Sequence, residues 1–252
     1  MKFYFNSSNN PKALKAKKKF ISKYGQNKPE KSEVIIPIGG DGFLLKNLHD
    51  YNHLNIPFFG INFGSIGFLM NSQTSNNLIN IIEKSHESVL KPLLMKATDI
   101  NNKNFFSIAY NEVSMMRQTH QAAKINIKIN DIERMKELIC DGILVSTAAG
   151  STGYNLSAHG SIIPLDSDLL ALTPISSFRP RSWKGALLKQ KNKIIFNVLN
   201  FKDRTVSVTA DNKEFRNIKK VKISSSNKNL CKLLFDKNHS MDERILKEQF
   251  YS

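Results

Sequence analysis

The feature that most constrains the fold is the segment 33–50, EVIIPIGGDGFLLKNLHD, where a near-continuous apolar run meets two glycines, an aspartate and a third glycine. An apolar run of strand length predicts a strand covered on both faces, as in a parallel sheet. The residues after the glycines follow a helical pattern through Phe43, Leu44 and Leu48. A second strand with a glycine-rich turn, IPFFGINFGSIGFL, comes next. Strand, helix and strand in this order predict a parallel α/β unit.

The regions on either side complete a two-domain prediction. Asn10, Pro11 and Gly25 are typical of the two ends of a first helix, and Pro37 is unusual inside a central strand. From about residue 90 the chain shows short alternating β-branched runs, with Asn130-Asp131 and Asp211-Asn212 as hairpin tips, which predict an antiparallel sheet or sandwich. We therefore expect an α/β domain over 1–90, with a helical segment 236–252 packing back on it, and a β-rich domain over 91–235.

Composition restricts the cellular compartment and the partner classes that we expect for the protein. The longest apolar runs in the 252 residues are strand-sized, which argues against a membrane-spanning segment. Two cysteines far apart, Cys140 and Cys231, indicate a reducing, cytoplasmic environment. The net charge of +16 is compatible with attraction to polyanions, but the lysines are scattered, as on solvated faces. We expect no specific nucleic-acid partner and no membrane partner.

The first glycine cluster has the residues of a phosphate site. Gly39, Gly40 and Gly42 stand where a parallel strand ends and a helix begins, the edge at which ligands bind in open α/β sheets. Glycines let backbone N–H groups approach a phosphate closely. Asp41, between them, could hold a metal on the phosphates or accept a proton from an attacking hydroxyl. The alternative is that Asp41 only caps the helix.

Three further segments have polar residues at turns. The second turn carries Asn62, Gly64 and Phe68, but its glycine spacing does not fit the dinucleotide fingerprint, and Phe68 could be either a stacking residue or a core residue. Asn111 and Glu112 would point to opposite faces of a strand unless the strand bends or ends there. The segment DGILVSTAAGSTGYNLSAHG, 141–160, ends in small hydroxyl residues suited to phosphate or ribose. The chain has no P-loop motif.

Together these segments resemble the NAD kinase family, which phosphorylates NAD to NADP. The resemblance follows the chain in order through GGDGFLL, GINFGSIGFL, NEVS, DGILVSTAAGSTGYNLSAHG and LALTPISSFRPRSW. The GGDG turn alone also resembles lipid kinases of the diacylglycerol and sphingosine type, which remain the alternative. A non-catalytic basic binding protein is a third reading, but it leaves the position of Asp41 unexplained.

The NAD kinase resemblance implies roles for individual residues. Asp41 would be the general base on the 2′-hydroxyl of the adenosine ribose, and Gly39, Gly40 and Gly64 would form the turn for the phosphoryl donor. The residues that would bind NAD are Gly42, Asn62, Phe68, Asn111, Glu112, Asp141, Thr152, Gly153, Tyr154 and Ser157. Asp211 and His159 would lie on the substrate side.

The resemblance also implies partners and cofactors. The substrates would be NAD and ATP, or polyphosphate in place of ATP, with a divalent metal such as Mg²⁺ and no metal ligand assigned to the protein. A homodimer or homotetramer is implied, with sites shared between subunits.

Overall fold

A computed structural model describes residues 1–73 and 77–237 of the chain. The chain forms two compact units, of which the first holds Met1–Leu90 and the described residues after Lys228, and the second holds Lys91–Lys228. The sequence prediction of a parallel α/β domain and a β-rich domain is confirmed. The segment 236–252, predicted to pack back as a helix, lies outside the described residues beyond 237.

The first unit contains a parallel sheet in the order β1-β2-β3. Its elements are β1 (Phe3–Ser7), α1 (Pro11–Tyr24), β2 (Val34–Gly39), α2 (Asp41–Tyr51), β3 (Ile61–Asn62), α3 (Leu78–Glu83), β4 (His86–Leu90), β17 (Cys231–Phe235), and 3₁₀ turns at Pro29–Lys31 and Asn52–Leu54. Every residue of β2 is buried, as its apolar run predicted. Because Gly39 on β2 pairs with Asn62 on β3, the two glycine turns leave neighbouring strands at the same edge.

The caps predicted for α1 are confirmed. The Asn10 side chain accepts a hydrogen bond of 2.9 Å from the Lys12 N–H, and Pro11 occupies the first helical turn. Gly25 ends the helix at a φ of 77°, a left-handed value that suits glycine. The Asn10 cap follows β1, and the two glycine turns follow β2 and β3. All three connections therefore lie at the carboxyl ends of the strands of one parallel sheet.

Pro37 fits its central strand because the ladder beside it is interrupted. Ile35 bonds on the β3 side, donating to Pro57 O and accepting from Phe59 N, and the Gly39 carbonyl accepts on the same side. Alternate residues face the same neighbour, so the missing N–H of Pro37 also falls on that side. Strand pairing there resumes only at Ile38.

The chain returns to the first unit through a strand. β17 pairs antiparallel with β4, and its Leu234 N–H donates to the Phe58 carbonyl at 2.8 Å. The buried Asn71 side chain donates to the carbonyls of Gly60 and Leu234, at 3.1 and 2.9 Å. The sequence prediction put these strand residues in the second domain, whereas the structure starts the return after Lys228.

The second unit is built from two six-stranded antiparallel sheets, with orders β12-β11-β10-β7-β14-β15 and β6-β5-β16-β13-β8-β9. Its elements are β5 (Leu93–Asp99), β6 (Asn104–Ala109), β7 (Glu112–Arg117), β8 (Ala123–Ile129), β9 (Ile132–Cys140), β10 (Gly142–Ser146), a 3₁₀ turn at Ala149–Thr152, α4 (Tyr154–Ser157), β11 (Leu169–Ile175), β12 (Ala186–Lys189), β13 (Ile194–Val198), β14 (Val206–Ala210), β15 (Lys213–Phe215) and β16 (Ile218–Ser225). One apolar core takes side chains from both sheets, such as Ile143 and Val208 from the first and Ile127 and Phe196 from the second. This arrangement is a β-sandwich.

Both predicted hairpin tips are confirmed. Asn130 and Asp131 join β8 to β9 with φ values of 52° and 64°, and Asp211 joins β14 to β15 at 51°. Asn and Asp tolerate this left-handed region better than other non-glycine residues. The strand predicted to carry Asn111 and Glu112 is interrupted, because β6 ends before Tyr110 and Asn111 and β7 begins at Glu112.

Three observations bear on the chemical setting. No helix in the ranges 1–73 and 77–237 is long and apolar enough to cross a membrane. Cys140 and Cys231 are free and buried, and burial raises the pKa of the Cys140 thiol to about 12. Over the same ranges no group of three or more His, Cys, Asp or Glu side chains could hold a metal ion.

Candidate functional site

Asp41 links the two glycine turns of the first unit. It is the first residue of α2 and follows Gly40, the residue before the helix. Its Oδ2 accepts a hydrogen bond of 2.7 Å from the Phe68 N–H, and its Oδ1 accepts one of 3.0 Å from the Leu69 N–H. A residue that only capped α2 would not hold a loop 27 residues away, so the capping interpretation is insufficient.

Gly40 of the first turn and Gly64 of the second turn pack closely against each other. A Cβ on Gly64 would lie 3.0 Å from the Gly40 Cα, which is closer than most Cβ contacts. A Cβ on Gly39 would lie 3.0 Å from Phe43 side-chain atoms. By contrast, a Cβ on Gly42 would have no neighbour within 4 Å among the residues that the structure describes, and Gly42 is exposed. Gly64 therefore serves the packing of the turns, whereas the space beside Gly42 is open.

Asn62 and Phe68 have structural contacts in this unit. The Asn62 Oδ1 accepts from the Gly64 N–H at 2.8 Å, and its Nδ2 donates to the Ile66 carbonyl at 2.8 Å. Gly67, at a φ of 75°, leaves no room for a Cβ against the Asn62 amide. Phe68 is 6% exposed and belongs to the buried apolar residues. Asn62 thus shapes the second turn.

In the second unit, Asp211 holds the backbone between β6 and β7. Its Oδ2 accepts from the Tyr110 N–H at 2.7 Å, and its Oδ1 accepts from the N–H groups of Asn111 and Glu112 at 3.0 and 3.3 Å. The Asp211 N–H in turn donates to the Glu112 carbonyl at 3.1 Å. These bonds fix a bend in the backbone, so the adjacent side chains of Asn111 and Glu112 need not point to opposite faces as they would in a regular strand.

Asn111 and Glu112 carry buried acceptors. The Asn111 Oδ1 and the Glu112 Oε2 are inaccessible and have no hydrogen-bond partner in the part of the chain that the structure describes. Burial, and secondarily the charge of Asp211, raise the pKa of Glu112 to about 7. Buried polar atoms without partners are rare, and a ligand that supplies hydrogen-bond donors is one explanation for them.

The predicted hydroxyl-rich turn lies against this pair. A Cβ on Gly150 would collide with the Asn111 backbone, and one on Gly153 would lie 3.8 Å from the Glu112 Oε2. The Thr147 hydroxyl donates to the Tyr110 carbonyl at 2.7 Å and accepts from the Gly150 N–H at 3.1 Å. Sequence reasoning missed Thr147, although its place in a turn of small polar residues was a signal for such a role.

Tyr154 lies near the same pair. Burial, and secondarily the charge of Glu112, raise the pKa of Tyr154. Thr152 ends the 3₁₀ turn, whereas Ser157 and His159 are exposed, the latter at a φ of 62°. The structure therefore brings Asn111, Glu112, Gly153, Tyr154 and Asp211 together within the second unit.

Asp141 lies at the other end of the same strand pair. On β7 and β10, Glu112 pairs with Ser146 and Met116 with Gly142, which puts Asp141 five residues along the strand from that end. At the usual rise this is roughly 17 Å. Asp141 accepts a hydrogen bond of 2.6 Å from the Arg117 Nε in an ion pair. Sequence reasoning missed Arg117, whose role depends on a strand register that a single sequence does not show.

The two sets of residues suit different chemistry. The first unit offers a carboxylate and open backbone at the N-terminus of an 11-residue helix, which suits a phosphate next to a group that gives up a proton. The second unit offers buried carbonyl and carboxyl oxygens, which suit the hydroxyls of a sugar.

The comparisons with known proteins agree with each other. The family model for the ATP-NAD kinase N-terminal domain matches residues 3–90, and that for the ATP-NAD kinase C-terminal domain matches residues 110–233. The chain is 55% identical over 227 residues to an NAD kinase of Rickettsia felis, covering 90% of this chain and 89% of that protein. It is 54% identical over 221 residues to one of Rickettsia bellii, covering 88% and 87%.

Solved structures show the same fold at low identity. The yeast NADH kinase complexed with NADH matches with a TM-score of 0.84 and 16% identity, over 100% of this chain and 88% of that one. An NAD kinase from Archaeoglobus fulgidus in complex with ATP matches with a TM-score of 0.77 and 22% identity, over 98% of each chain.

Proposed function

The chain belongs to the NAD kinase family, and on this premise we infer that it is an enzyme that phosphorylates NAD with ATP as the donor. We propose that the acceptor is the 2′-hydroxyl of the adenosine ribose, so that the products are NADP and ADP. The observation that carries the proposal is the Asp41 carboxylate between glycines at the carboxyl edge of the parallel sheet. The lipid-kinase alternative finds no support among the family models and relatives that match.

Asp41 is the general base of this proposal. The ribose oxygen forms a bond to the γ-phosphorus of ATP while the bond from that phosphorus to the bridging oxygen breaks, and the hydroxyl proton passes to Asp41. A carboxylate has about four acceptor positions, so bonds to the Phe68 and Leu69 N–H groups are compatible with a further bond to a hydroxyl. The two backbone donors also fix the carboxylate orientation, which is what positioning requires.

Asn111 and Glu112 bind the ribose hydroxyls in this proposal. Their buried oxygens without partners would each accept a hydrogen bond from a hydroxyl. A glutamate with a pKa of about 7 exists in both protonation states near neutral pH, so Glu112 can accept from one hydroxyl or donate to another. Asp211 acts as a positioning residue, because it holds the N–H groups of both residues.

The remaining assignments follow the family resemblance. Gly39, Gly40 and Gly64 form the donor turn. The other residues proposed to contact NAD are Gly42, Asn62, Phe68, Asp141, Thr152, Gly153, Tyr154 and Ser157, with His159 beside them. The open space at Gly42 supports its assignment most directly.

Mg²⁺ is proposed to enter with the nucleotide. Within residues 1–73 and 77–237 the protein offers no cage of three or more ligands, and Mg²⁺ commonly keeps several waters while it binds substrate phosphates and one or two carboxylates. Since Asp41 is assigned as the base, the nucleotide phosphates and water would hold the ion, and no protein ligand is assigned. When bound, the ion would offset the charge of the phosphates.

We also propose a homo-oligomer in the cytoplasm. The roughly 17 Å along the strands between Asp141 and Glu112 supports a site in which a second copy of the chain supplies Asp141. Two buried free cysteines support a reducing compartment. Size-exclusion chromatography with light scattering would test the oligomer, and a monomer at assay concentrations would contradict it.

The experiment for the reaction measures NADP formation from NAD, ATP and Mg²⁺ with a coupled NADP-specific dehydrogenase. We expect NADP to form with the wild type and to be nearly lost in Asp41→Asn. The matched control is Asp50→Asn, which makes the same chemical change at an exposed position of α2. Absence of NADP with every donor and metal tried would contradict the proposed function.

A further inference from the structure

We infer that the second unit carries an additional anion-binding pocket, suited to a ligand with two or more linked phosphate groups. The pocket has a volume of about 710 Å³, within the range of small-molecule sites. Over residues 1–73 and 77–237 its lining contains four lysines, Lys91, Lys189, Lys191 and Lys193, but one carboxylate, Asp168. None of the residues proposed above to bind NAD or ATP lines it, so the inference does not depend on the proposed function.

Both sheets of the sandwich supply this pocket. Lys91 precedes β5 and Ser225 ends β16 in one sheet, while Asp168 precedes β11 and Lys189 ends β12 in the other. Strand ends of a packed sandwich are fixed by their ladders, here by the pairing of Ser225 with Leu93 and of Lys189 with Leu169. The backbones of Ser225 and Lys189 are therefore fixed by strand pairing, while Lys191 and Lys193 lie in the connection between β12 and β13.

The charges of the lining are unbalanced. The Lys91 ammonium donates to the Asp168 Oδ1 and to the Gln190 Oε1, both at 3.0 Å, which holds that lysine in place. No carboxylate among the described residues lies within ion-pair distance of the other three lysines. Three cations without counter-charges around one concavity favour a polyanion over a single-charge ligand.

The Ser225 hydroxyl is a second, independent observation. It is buried and has no hydrogen-bond partner within the described ranges, although Ser225 lines the pocket. Rotation about the Cα–Cβ bond breaks no hydrogen bond of this hydroxyl, so it can turn toward a bound oxygen. A phosphate oxygen would then satisfy a donor that the protein leaves without a partner.

The composition of the lining also indicates which part of the ligand is recognised. Among the described residues that line it, Leu169 is the one apolar residue and none has an aromatic side chain to stack on a base. The remaining polar residues, including Ser224 and Asn227, are hydrogen-bonding groups. We therefore expect inorganic pyrophosphate to bind at least as well as ADP, and orthophosphate to bind more weakly.

The test is calorimetric titration of the full chain with inorganic pyrophosphate, at low and at near-physiological salt. The pocket variant is Lys189→Gln/Lys191→Gln/Lys193→Gln. Its matched control is Lys15→Gln/Lys18→Gln/Lys19→Gln, which removes the same charge from exposed positions of α1. We expect affinity to fall about tenfold in the pocket variant and to stay within about twofold in the control.

Two single variants test the Lys91–Asp168 ion pair and the buried Ser225 hydroxyl separately. Asp168→Asn releases Lys91 and should tighten pyrophosphate binding about two- to fivefold. Ser225→Ala should weaken binding by a similar factor without lowering the melting temperature, because its hydroxyl has no partner to lose. Equal weakening in both triple variants, unchanged affinity in the pocket variant, or no tightening in Asp168→Asn would each overturn the inference.

Discussion

Each unit of the molecule contains an aspartate that holds the backbone of another loop. In the first unit Asp41 accepts hydrogen bonds from the N–H groups of Phe68 and Leu69. In the second unit Asp211 accepts hydrogen bonds from the N–H groups of Tyr110, Asn111 and Glu112. The surroundings of the two carboxylates differ. Asp41 stands next to open space at Gly42, whereas Asp211 lies beside the buried Glu112, whose pKa it helps to raise.

This difference separates two roles that the same hydrogen bonds can serve. A carboxylate next to open space can also meet a substrate atom, so its backbone bonds orient a reacting group. A carboxylate that only accepts hydrogen bonds from backbone N–H groups, as is proposed for Asp211, affects the substrate through the positions of those residues. We therefore expect Asp41 to govern the chemical step and Asp211 to govern the binding of NAD.

The largest expected effect compares Asp41→Asn with Asp211→Asn. Both variants lose a backbone-holding carboxylate, but only the first loses the proposed base, so we expect kcat to fall about 10²–10⁴-fold in Asp41→Asn. In Asp211→Asn we expect the KM for NAD to rise more than kcat falls, since Asn111 and Glu112 move. Steady-state kinetics with the coupled assay give both quantities.

Thermal unfolding is the control for this pair, because each substitution removes hydrogen bonds worth about 1–3 kcal/mol when a buried group loses its partner. Similar losses of stability with the predicted split in kinetics would support the two roles. An equal loss of kcat in both variants would remove the distinction between base and positioning residue.

The next effect concerns pH and Glu112. Because its pKa is raised to about 7, the folded protein keeps a proton there that the unfolded chain has released, so this group lowers stability as pH rises from about 4.5 to 7. The full loss is about 3 kcal/mol. We expect Glu112→Gln to remove this decline, measured as the free energy of unfolding in urea at several pH values.

The control for the pH profile is Glu83→Gln, at an exposed glutamate of the first unit. A decline that persists unchanged in Glu112→Gln would contradict the raised pKa. A decline lost equally in both variants would assign it to general charge rather than to the buried carboxyl.

The smallest effect compares two glycines of the first unit. In Gly64→Ala the new Cβ meets the Gly40 backbone, so we expect a loss of about 1–3 kcal/mol in stability. In Gly42→Ala no described residue lies within 4 Å of the new Cβ, and alanine favours the helix by about 0.5–1 kcal/mol. If NAD approaches Gly42 closely, this variant should nevertheless have a raised KM for NAD.

Melting temperatures and NAD titrations measure these two effects separately. A Gly42→Ala variant that is more stable and has an unchanged KM for NAD would show that NAD does not use the open space beside Gly42. A Gly64→Ala variant of wild-type stability would show that the two turns separate easily.

Local features of the fold could be predicted from the sequence. The caps of α1, the buried run of β2 and the hairpin tips at Asn130 and Asp211 depend on a few adjacent residues, whose conformational preferences are strong. The candidate site was harder to predict. Asp41 accepts hydrogen bonds from residues 27 and 28 positions later, which depends on how two loops meet in the folded domain. The separation of Asp141 from Glu112 depends on strand register, which is also set by the whole domain.

The return of the chain through β17 has a consequence for folding during synthesis. β4 leaves the ribosome about 140 residues before β17, which at roughly 5–20 residues per second is a delay of about 7–30 seconds. The second unit is continuous in sequence, but its strand β16 ends at Ser225, just before β17 begins, so β5 waits for one of its partner strands almost as long as β4 does. Both units therefore complete their strand pairing only when residues 218–235 have left the ribosome, and until then each has a strand edge open to aggregation.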